Sequence, residues 1–406
     1  MNMLQTISSF LSQFDLDVRK SGDARFMDQK CTPDVVCFIA DCLINLDPKG
    51  EFTVQNLWDM QYFIKNASAI FGKPNPKNEA AHSEYDKFIQ QPLRMLAYAH
   101  VLEIEKRGTT NFYRVGNYDI LDYIATKERN AYNFLYLYIT KVLSDSNMIR
   151  YFEKFKDVCE KGSDTVKKAE FKDLKERYER FIIGNTKING EVEVRRIFTK
   201  VLNVYSAENG ILGTERGRLS PDIIYFSDLM YNRKNWRDID KAKAQTRQEA
   251  ASAEDIKQQD AYDSYQVTKA MNLLRKIQVE SEVKDQYANG EATQVHHIFS
   301  KSQFPQIAHY LENLIKLTAT QHYTKAHPSN NTQVTNRDYQ LVCLLAKSQT
   351  IEQSLNTIGE KYYRKESFVY VINVGLDTEL SMKLSFAEIR TQLRLIYNAA
   401  KSRKYI

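Results

Sequence analysis

Apolar residues recur every three or four positions along most of this chain, a spacing that places them on one face of a helix. On this basis helices are predicted over residues 1–16, 33–46, 54–64, 83–99, 131–180, 192–204, 236–276, 337–358 and 386–401. The chain is therefore expected to be mostly helical.

Short runs rich in β-branched and aromatic residues interrupt this helical spacing. The runs at 101–106 and 111–115 flank a turn that contains Gly108, which predicts a β-hairpin. Three further runs predict short strands at 293–298, 313–317 and 368–374. Together the two patterns predict an α+β fold with little strand.

Length and composition limit the class of protein. A chain of 406 residues is long enough for about two to four domains. It contains no apolar run of about 18 residues, so no membrane span is expected. Residues 1–16 lack a basic start and a cleavage signal. The five scattered cysteines favour a reducing compartment, and we expect a cytoplasmic protein.

Candidate chemistry is concentrated between residues 294 and 328, where five of the seven histidines fall. His296 and His297 are adjacent on a predicted strand, so their side chains should point to opposite faces and serve different purposes. Neutral imidazole is a common metal ligand, and its pKa near neutrality also makes it a good general base. One histidine of the pair, together with His322, can hold a metal, and the other can activate water.

The order of predicted elements around these histidines is strand, loop, strand, helix. Asn313 opens the second strand, and His322 lies near the start of the helix, which Thr318 or Thr320 caps. This arrangement resembles the HNH motif of the ββα-metal nucleases. The resemblance implies that His296 and His322 are metal ligands, that His297 is the general base, and that Asn313 braces the loop carrying that base.

Two more histidines lie in the same stretch. His327 is either a further ligand or phosphate contact, or a residue with a capping or packing role. His309 matches no position of the motif and is expected to be structural. Many HNH domains hold a structural zinc with paired CxxC motifs, but this chain has no CxxC, so no structural zinc is expected.

The resemblance also implies an activity. In HNH-type restriction endonucleases water activated by the base attacks a phosphate held by a divalent metal, here expected to be Mg²⁺ or Mn²⁺, and leaves 5′-phosphate ends. The alternatives are another HNH nuclease of phage defence or mobile elements, and a non-catalytic DNA-binding regulator whose histidines are structural or bind zinc. One motif per chain suggests that a double-strand break needs a homodimer or sequential nicking.

The N-terminal helices followed by a β-hairpin resemble a winged-helix DNA-binding domain. On that analogy the helix ending near Ala99 enters the major groove of double-stranded DNA, and its candidate contacts are Lys87, Gln90, Gln91 and Arg94. The alternative is a winged helix used for protein contacts, or a solvated polar face. The net charge of +6 is compatible with nucleic acid but does not establish it.

Four regions follow from these assignments. They are a winged-helix-like domain at 1–125, a helical connecting region at 126–235, an HNH nuclease domain at 236–350, and a C-terminal helical region with a short strand at 351–406.

Overall fold

A computed structural model of the chain describes residues 3–46, 50–72, 75–78, 82–231, 247–327 and 336–402. The fold is α+β and mostly helical, as the sequence pattern predicts. The sheets of the described residues are two-stranded and antiparallel. The chain divides into two compact units, Leu4–Gln258 and Gln259–Ile406. Among the described residues no helix combines the length and apolarity needed to cross a membrane.

The first unit is largely helical. Its helices are α1 (Met3–Leu11), α2 (Val18–Ser21), α3 (Pro33–Leu46), α4 (Val54–Asp59), α5 (Gln61–Phe71), α6 (His82–Tyr98), α7 (Tyr118–Thr126), α8 (Glu128–Asp145), α9 (Ile149–Lys161), α10 (Asp164–Asn185) and α11 (Glu191–Asn209). Its strands are β1 (Leu102–Arg107), β2 (Thr110–Val115), β3 (Leu212–Glu215) and β4 (Arg218–Ile223). The division between the units falls within α12 (Arg247–Ile277).

The predicted hairpin is confirmed, with β1 and β2 paired antiparallel around Gly108. Gly108 has a φ of 62°, a left-handed conformation that glycine adopts without the steric penalty of a Cβ atom. The helix predicted at 54–64 is instead two helices, α4 and α5, because Met60 has an extended backbone. Pro92 lies inside the unbroken helix α6.

The second unit surrounds the histidine-rich stretch. Its further elements are β5 (Gln294–His297), β6 (Leu314–Leu317), α13 (Arg337–Ile358), α14 (Lys365–Leu376) and α15 (Phe386–Ser402). All four residues of β6 are buried, so this strand runs through the core. The core also contains Leu344 of α13, Phe368 and Ile372 of α14, and Leu393 of α15.

The strand predicted at 368–374 is wrong, because this segment lies within helix α14. Its β-branched residues favour a strand, but Phe368, Val371 and Ile372 have helical spacing and are completely buried on one face. Burial of this face in the core outweighs a β-propensity scale that spans about 1 kcal/mol. The C-terminal region is therefore helical in its described part.

Two of the predicted region boundaries can be compared with the described residues, with different outcomes. The boundary at 350–351 falls inside α13, a continuous helix of the second unit. The boundary at 235–236 lies outside the described residues.

Close packing joins α14 to the loop after β5. A Cβ atom added to Gly375 would lie 2.5 Å from the ring atoms of Phe299, a residue that is itself 1% exposed. Phe299 also packs edge-to-face on Phe304, with ring centroids 5.7 Å apart. Only glycine leaves room for the Phe299 ring at this position.

We therefore expect Gly375→Ala to lower the free energy of unfolding of the second unit by about 1–3 kcal/mol, the range for overpacking a filled core. The matched control is Gly184→Ala in α10, where nothing lies within 4 Å of the added Cβ and the substitution is expected to stabilise by about 0.5–1 kcal/mol. Urea unfolding of both variants measures the difference. Equal effects of the two substitutions would contradict the packing argument.

Candidate metal centre and active site

The two strands that carry the candidate site pair antiparallel over their full length. Gln294 lies opposite Leu317 at one end, and His297 lies opposite Leu314 at the other. The loop between the strands, residues 298–313, therefore starts and ends at the same end of the strand pair. Both predicted strands are confirmed to within one or two residues.

Asn313 holds this loop together from its completely buried position. Its side-chain oxygen accepts a hydrogen bond from the N–H of Phe299 (2.9 Å), and its amide nitrogen donates to the carbonyls of Phe299 (3.0 Å) and Ile307 (3.2 Å). Its own carbonyl accepts from the N–H of Ile298 at 2.8 Å. Three points of the loop are thus fixed by one residue, which is the arrangement that a bracing role requires.

A six-residue π-helical turn, Gln321–Ala326, follows β6. The Oγ1 atom of Thr318 accepts from the N–H of Gln321 at 3.2 Å, so Thr318 acts as the predicted cap. Gln321 is completely buried, and its amide nitrogen donates to the carbonyl of Val283 (2.8 Å) and to Asp285 (2.9 Å). The start of the turn is therefore anchored to residues 283–285.

The wider turn places His327 beside His322. The N–H of His327 donates to the carbonyl of His322 at 3.0 Å, a bond between residues five positions apart. In an α-helix of about 3.6 residues per turn, residues five apart would point in clearly different directions. Such π-turns are rare and often lie at functional sites.

Three histidines converge here, from the strand and from both ends of the turn. The ring centroids of His296 and His322 lie 5.3 Å apart, and the ring centroid of His327 lies 4.8 Å from each of them. One nitrogen from each of His296, His322 and His327 lies within 4.8 Å of the other two. This group can hold a metal ion, and it unites the two predicted ligands with the histidine whose role the sequence left open.

Electrostatics keep two of these imidazoles, those of His296 and His322, neutral. Burial lowers the pKa of His296 well below its usual value, and the neighbouring histidines lower it further. Burial and His327 lower the pKa of His322 to about 4. Neutral imidazole is the form that coordinates a metal.

One nitrogen of this group also lacks a hydrogen-bond partner within the described part of the chain. Among the described residues, the buried Nδ1 atom of His322 makes no hydrogen bond. Buried polar atoms are almost always satisfied by protein, water or an ion. The residues present therefore fit a metal ion.

His297 is held in a different way from His296. Its Nε2 atom lies 3.1 Å from the carbonyl oxygen of Ala308. A carbonyl only accepts, so Nε2 must carry the proton and donate, and in the neutral ring Nδ1 is left as an acceptor. Burial lowers the pKa of His297, which keeps the ring neutral. This tautomer suits a general base, because Nδ1 can take a proton while Ala308 fixes the ring.

Both members of the pair line one cavity of about 630 Å³. The sequence predicted that adjacent strand residues would face opposite ways, and their contacts do differ: His296 packs on two histidines and His297 on a backbone carbonyl. The cavity is lined by Val295, His296, His297, Ser300, Lys301, Ser302, Pro305, His322 and His327.

The sequence did not single out Ser300, Lys301 and Ser302 as cavity residues. Lys301 is exposed and acts electrostatically on His297, since its charge lowers the pKa of that ring. An exposed ammonium group beside a candidate base is a natural contact for a phosphate. No local motif marks these residues, although all three follow His297 within five positions. Their place in the cavity depends on the loop that Asn313 fixes.

Helix α6 carries the four candidate DNA contacts. Lys87 is exposed, and Gln90 and Arg94 are half-buried. Gln91 is buried and accepts a hydrogen bond from the N–H of Lys30 at 2.9 Å, so it faces the interior. The other three lie on the outer side of a helix that otherwise packs in the core.

The hairpin that follows α6 is charged, but its arginines are paired. Arg107 forms ion pairs with Glu51 and Glu105, and Arg114 pairs with Glu51. These ion pairs partly neutralise the positive charge of the hairpin.

Comparison with protein-family models, curated proteins and solved structures finds no match for this chain.

Proposed function

We propose that this chain is a metal-dependent HNH endonuclease that hydrolyses DNA phosphodiester bonds. The observation that carries the proposal is the meeting, on one cavity, of a three-histidine group with a fourth histidine whose Nε2 is fixed by a backbone carbonyl. A metal ligand set and an oriented base are the two parts that hydrolysis of a phosphodiester needs.

The residues have separate roles in the proposed reaction. His296, His322 and His327 would hold the metal, which when bound neutralises charge on the phosphate. Nδ1 of His297 accepts the proton of the attacking water, while the Ala308 carbonyl keeps Nε2 protonated and the ring oriented. Asn313 holds Phe299 and Ile307 in place, and so fixes the loop on which Ala308 lies.

The donor set bears on the identity of the metal. Imidazole ligands suit Zn²⁺, Cu²⁺, Fe²⁺ and Ni²⁺, whereas Mg²⁺ prefers carboxylate, carbonyl and water oxygens. The group contains three imidazoles, and we propose a transition-metal ion in place of the Mg²⁺ expected from the family resemblance. Mn²⁺, which the same resemblance implies, is itself a transition-metal ion and is retained, although it ranks with Mg²⁺ in its preference for oxygen ligands.

For the first unit we propose a role in binding double-stranded DNA, with Lys87, Gln90 and Arg94 as contacts. Their common accessible side on α6 supports this proposal. A unit that selects DNA and another that cuts it would make the chain similar in organisation to HNH-type restriction endonucleases, with another HNH defence or mobile-element nuclease as the nearest alternative.

Plasmid cleavage tests the activity. Purified, metal-free protein is incubated with supercoiled plasmid and, separately, with Mg²⁺, Mn²⁺, Zn²⁺, Ni²⁺ or Co²⁺. We expect nicked or linear product with at least one transition ion, and 5′-phosphate ends on sequencing. Protein that binds a metal and DNA but cuts with none of these ions would instead indicate a DNA-binding regulator.

Metal titration tests the third ligand. We expect His327→Ala to weaken metal affinity by more than the about 10–100-fold that follows loss of a second-shell partner, because it removes one of three ligands. The matched control is His309→Ala, which changes a half-buried histidine that does not line the cavity. Calorimetry compares the two variants with the parent chain. Unchanged affinity in His327→Ala would assign this residue a packing role.

A further inference from the structure

A second cavity adjoins the proposed active site. It has a volume of about 540 Å³, within the range of small-molecule sites, and shares Ser300 with the histidine-lined cavity. Phe304, Arg337, Gly375 and Asp377 also line it. All these residues belong to the second unit, so the two cavities are neighbours within that unit.

Hydrogen bonds and close packing join the walls of this second cavity, the Phe304 groove. The side chain of Gln340 donates to the carbonyl of Ile298 at 2.7 Å and accepts from the hydroxyl of Tyr397 at 2.8 Å. Phe299 fills the space above Gly375. The groove is thus held by the loop at 298–313, which also carries Ala308, the hydrogen-bond partner of His297.

The polar side chains that line the groove include a cation, a carboxylate and an amide. Arg337 is exposed at the first residue of α13, and its guanidinium lies 5.5 Å from the ring centroid of Tyr397. Asp377 is exposed after the end of α14, where its φ of 51° ends the helix. Gln303 is exposed, and Phe304 is half-buried.

These groups match the parts of one nucleotide. A phosphate would be repelled by Asp377 and attracted by Arg337, which assigns it to the arginine. A base can stack on the Phe304 ring, as bases do on aromatic side chains of nucleic-acid sites. The carboxylate of Asp377 can then accept a hydrogen bond from an exocyclic amino group on the edge of the base.

We propose that the Phe304 groove binds a nucleotide of the cut strand next to the scissile phosphate, with its base turned out of the stack. This inference rests on the proposed nuclease function. It adds a subsite that selects substrates in which that nucleotide is unpaired or easily unstacked, and bases that present an amino group.

Binding in EDTA tests the groove without cleavage. A fluorescein-labelled single-stranded DNA tetranucleotide is titrated into the full chain, Arg337→Ala and Phe304→Leu, with fluorescence anisotropy as the readout. We expect each variant to bind about tenfold more weakly, since a base–aromatic stack and a phosphate contact are each lost. Arg394→Ala, an exposed arginine of α15 outside the groove lining, is the matched control.

Cleavage then gives a second readout. The parent chain should favour an oligonucleotide over bis(p-nitrophenyl) phosphate, which has no flanking nucleotide, and this preference should shrink about tenfold in Arg337→Ala, in line with the lost phosphate contact. Equal tetranucleotide affinity of parent, Arg337→Ala and Phe304→Leu, or no binding by the parent chain, would overturn the subsite. Failure of the parent chain to cleave any substrate, with the binding differences intact, would refute the nuclease function and leave the nucleotide site standing.

Discussion

Replacement of His297 by alanine is expected to reduce the rate of DNA cleavage by about 10²–10⁴-fold, the usual contribution of a general base. Metal affinity should remain close to that of the parent chain. The reason is the separation of roles: the His297 ring is held by Ala308, whereas the ring of His296 packs against His322 and His327. Plasmid cleavage under single-turnover conditions, beside calorimetric metal titration, measures both effects.

His296→Ala is the matched comparison on the neighbouring strand position. It removes a ligand, so we expect it to weaken metal binding and cleavage together. Asn313→Ala should slow cleavage with a smaller effect on metal affinity, because its contacts are to the loop and not to the three histidines. Near-normal cleavage by His297→Ala, or loss of metal as complete as in His296→Ala, would show that base and ligand have been assigned wrongly.

The sequence located most of the candidate site, because a short sheet and its side chains obey local rules. Alternation on β5 separates His296 from His297, and Asn313 stands at the point where the second strand begins. His327 could not be assigned in this way. Its position beside His322 depends on a π-turn, and an α-helical spacing of five residues would have pointed it elsewhere.

Elsewhere predictions from the sequence differ from the structure where contacts with distant residues outweigh the intrinsic conformational preference of a segment. Residues 368–374 are rich in β-branched side chains, yet the core buries one helical face of them. Gln91 belongs to a polar series on α6, but its side chain is buried and accepts a hydrogen bond from the N–H of Lys30. The core residues that pack on 368–374 and the partner of Gln91 are distant from these segments in sequence. The periodicity of either segment therefore could not predict these contacts.

A buried ion pair supports the strand behind the site. The side chains of Lys347 of α13 and Glu282 are both completely buried, and the Nζ atom of Lys347 lies 2.9 Å and 3.0 Å from the two carboxylate oxygens. Glu282 also accepts a hydrogen bond from the N–H of Lys316 on β6 at 2.9 Å. The hydroxyl of Tyr363 lies 3.3 Å from the same Nζ atom. The pair therefore links α13 to β6, the strand that ends just before the metal-binding turn.

We expect Lys347→Met to lower the free energy of unfolding of the second unit by about 3–5 kcal/mol, because it leaves the carboxylate of Glu282 buried without its counter-charge. The double variant Lys347→Met/Glu282→Gln should recover a substantial part of this loss, since glutamine is neutral and its side-chain oxygen can still accept from the Lys316 N–H. Urea unfolding of the single and double variants measures the difference.

The control pair is Arg364 and Glu360, which are 37% and 57% exposed and lie 3.0 Å apart. Glu360→Gln should change the free energy of unfolding by no more than about 0.5 kcal/mol, because exposed pairs of this spacing are screened by solvent. A loss in Lys347→Met as small as that control, or a double variant no more stable than the single one, would show that the buried charge does not govern the stability of this unit. Lys347→Met should also bind metal more weakly at moderate urea, because β6, the strand next to the histidines, then lacks the ion pair that links it to α13.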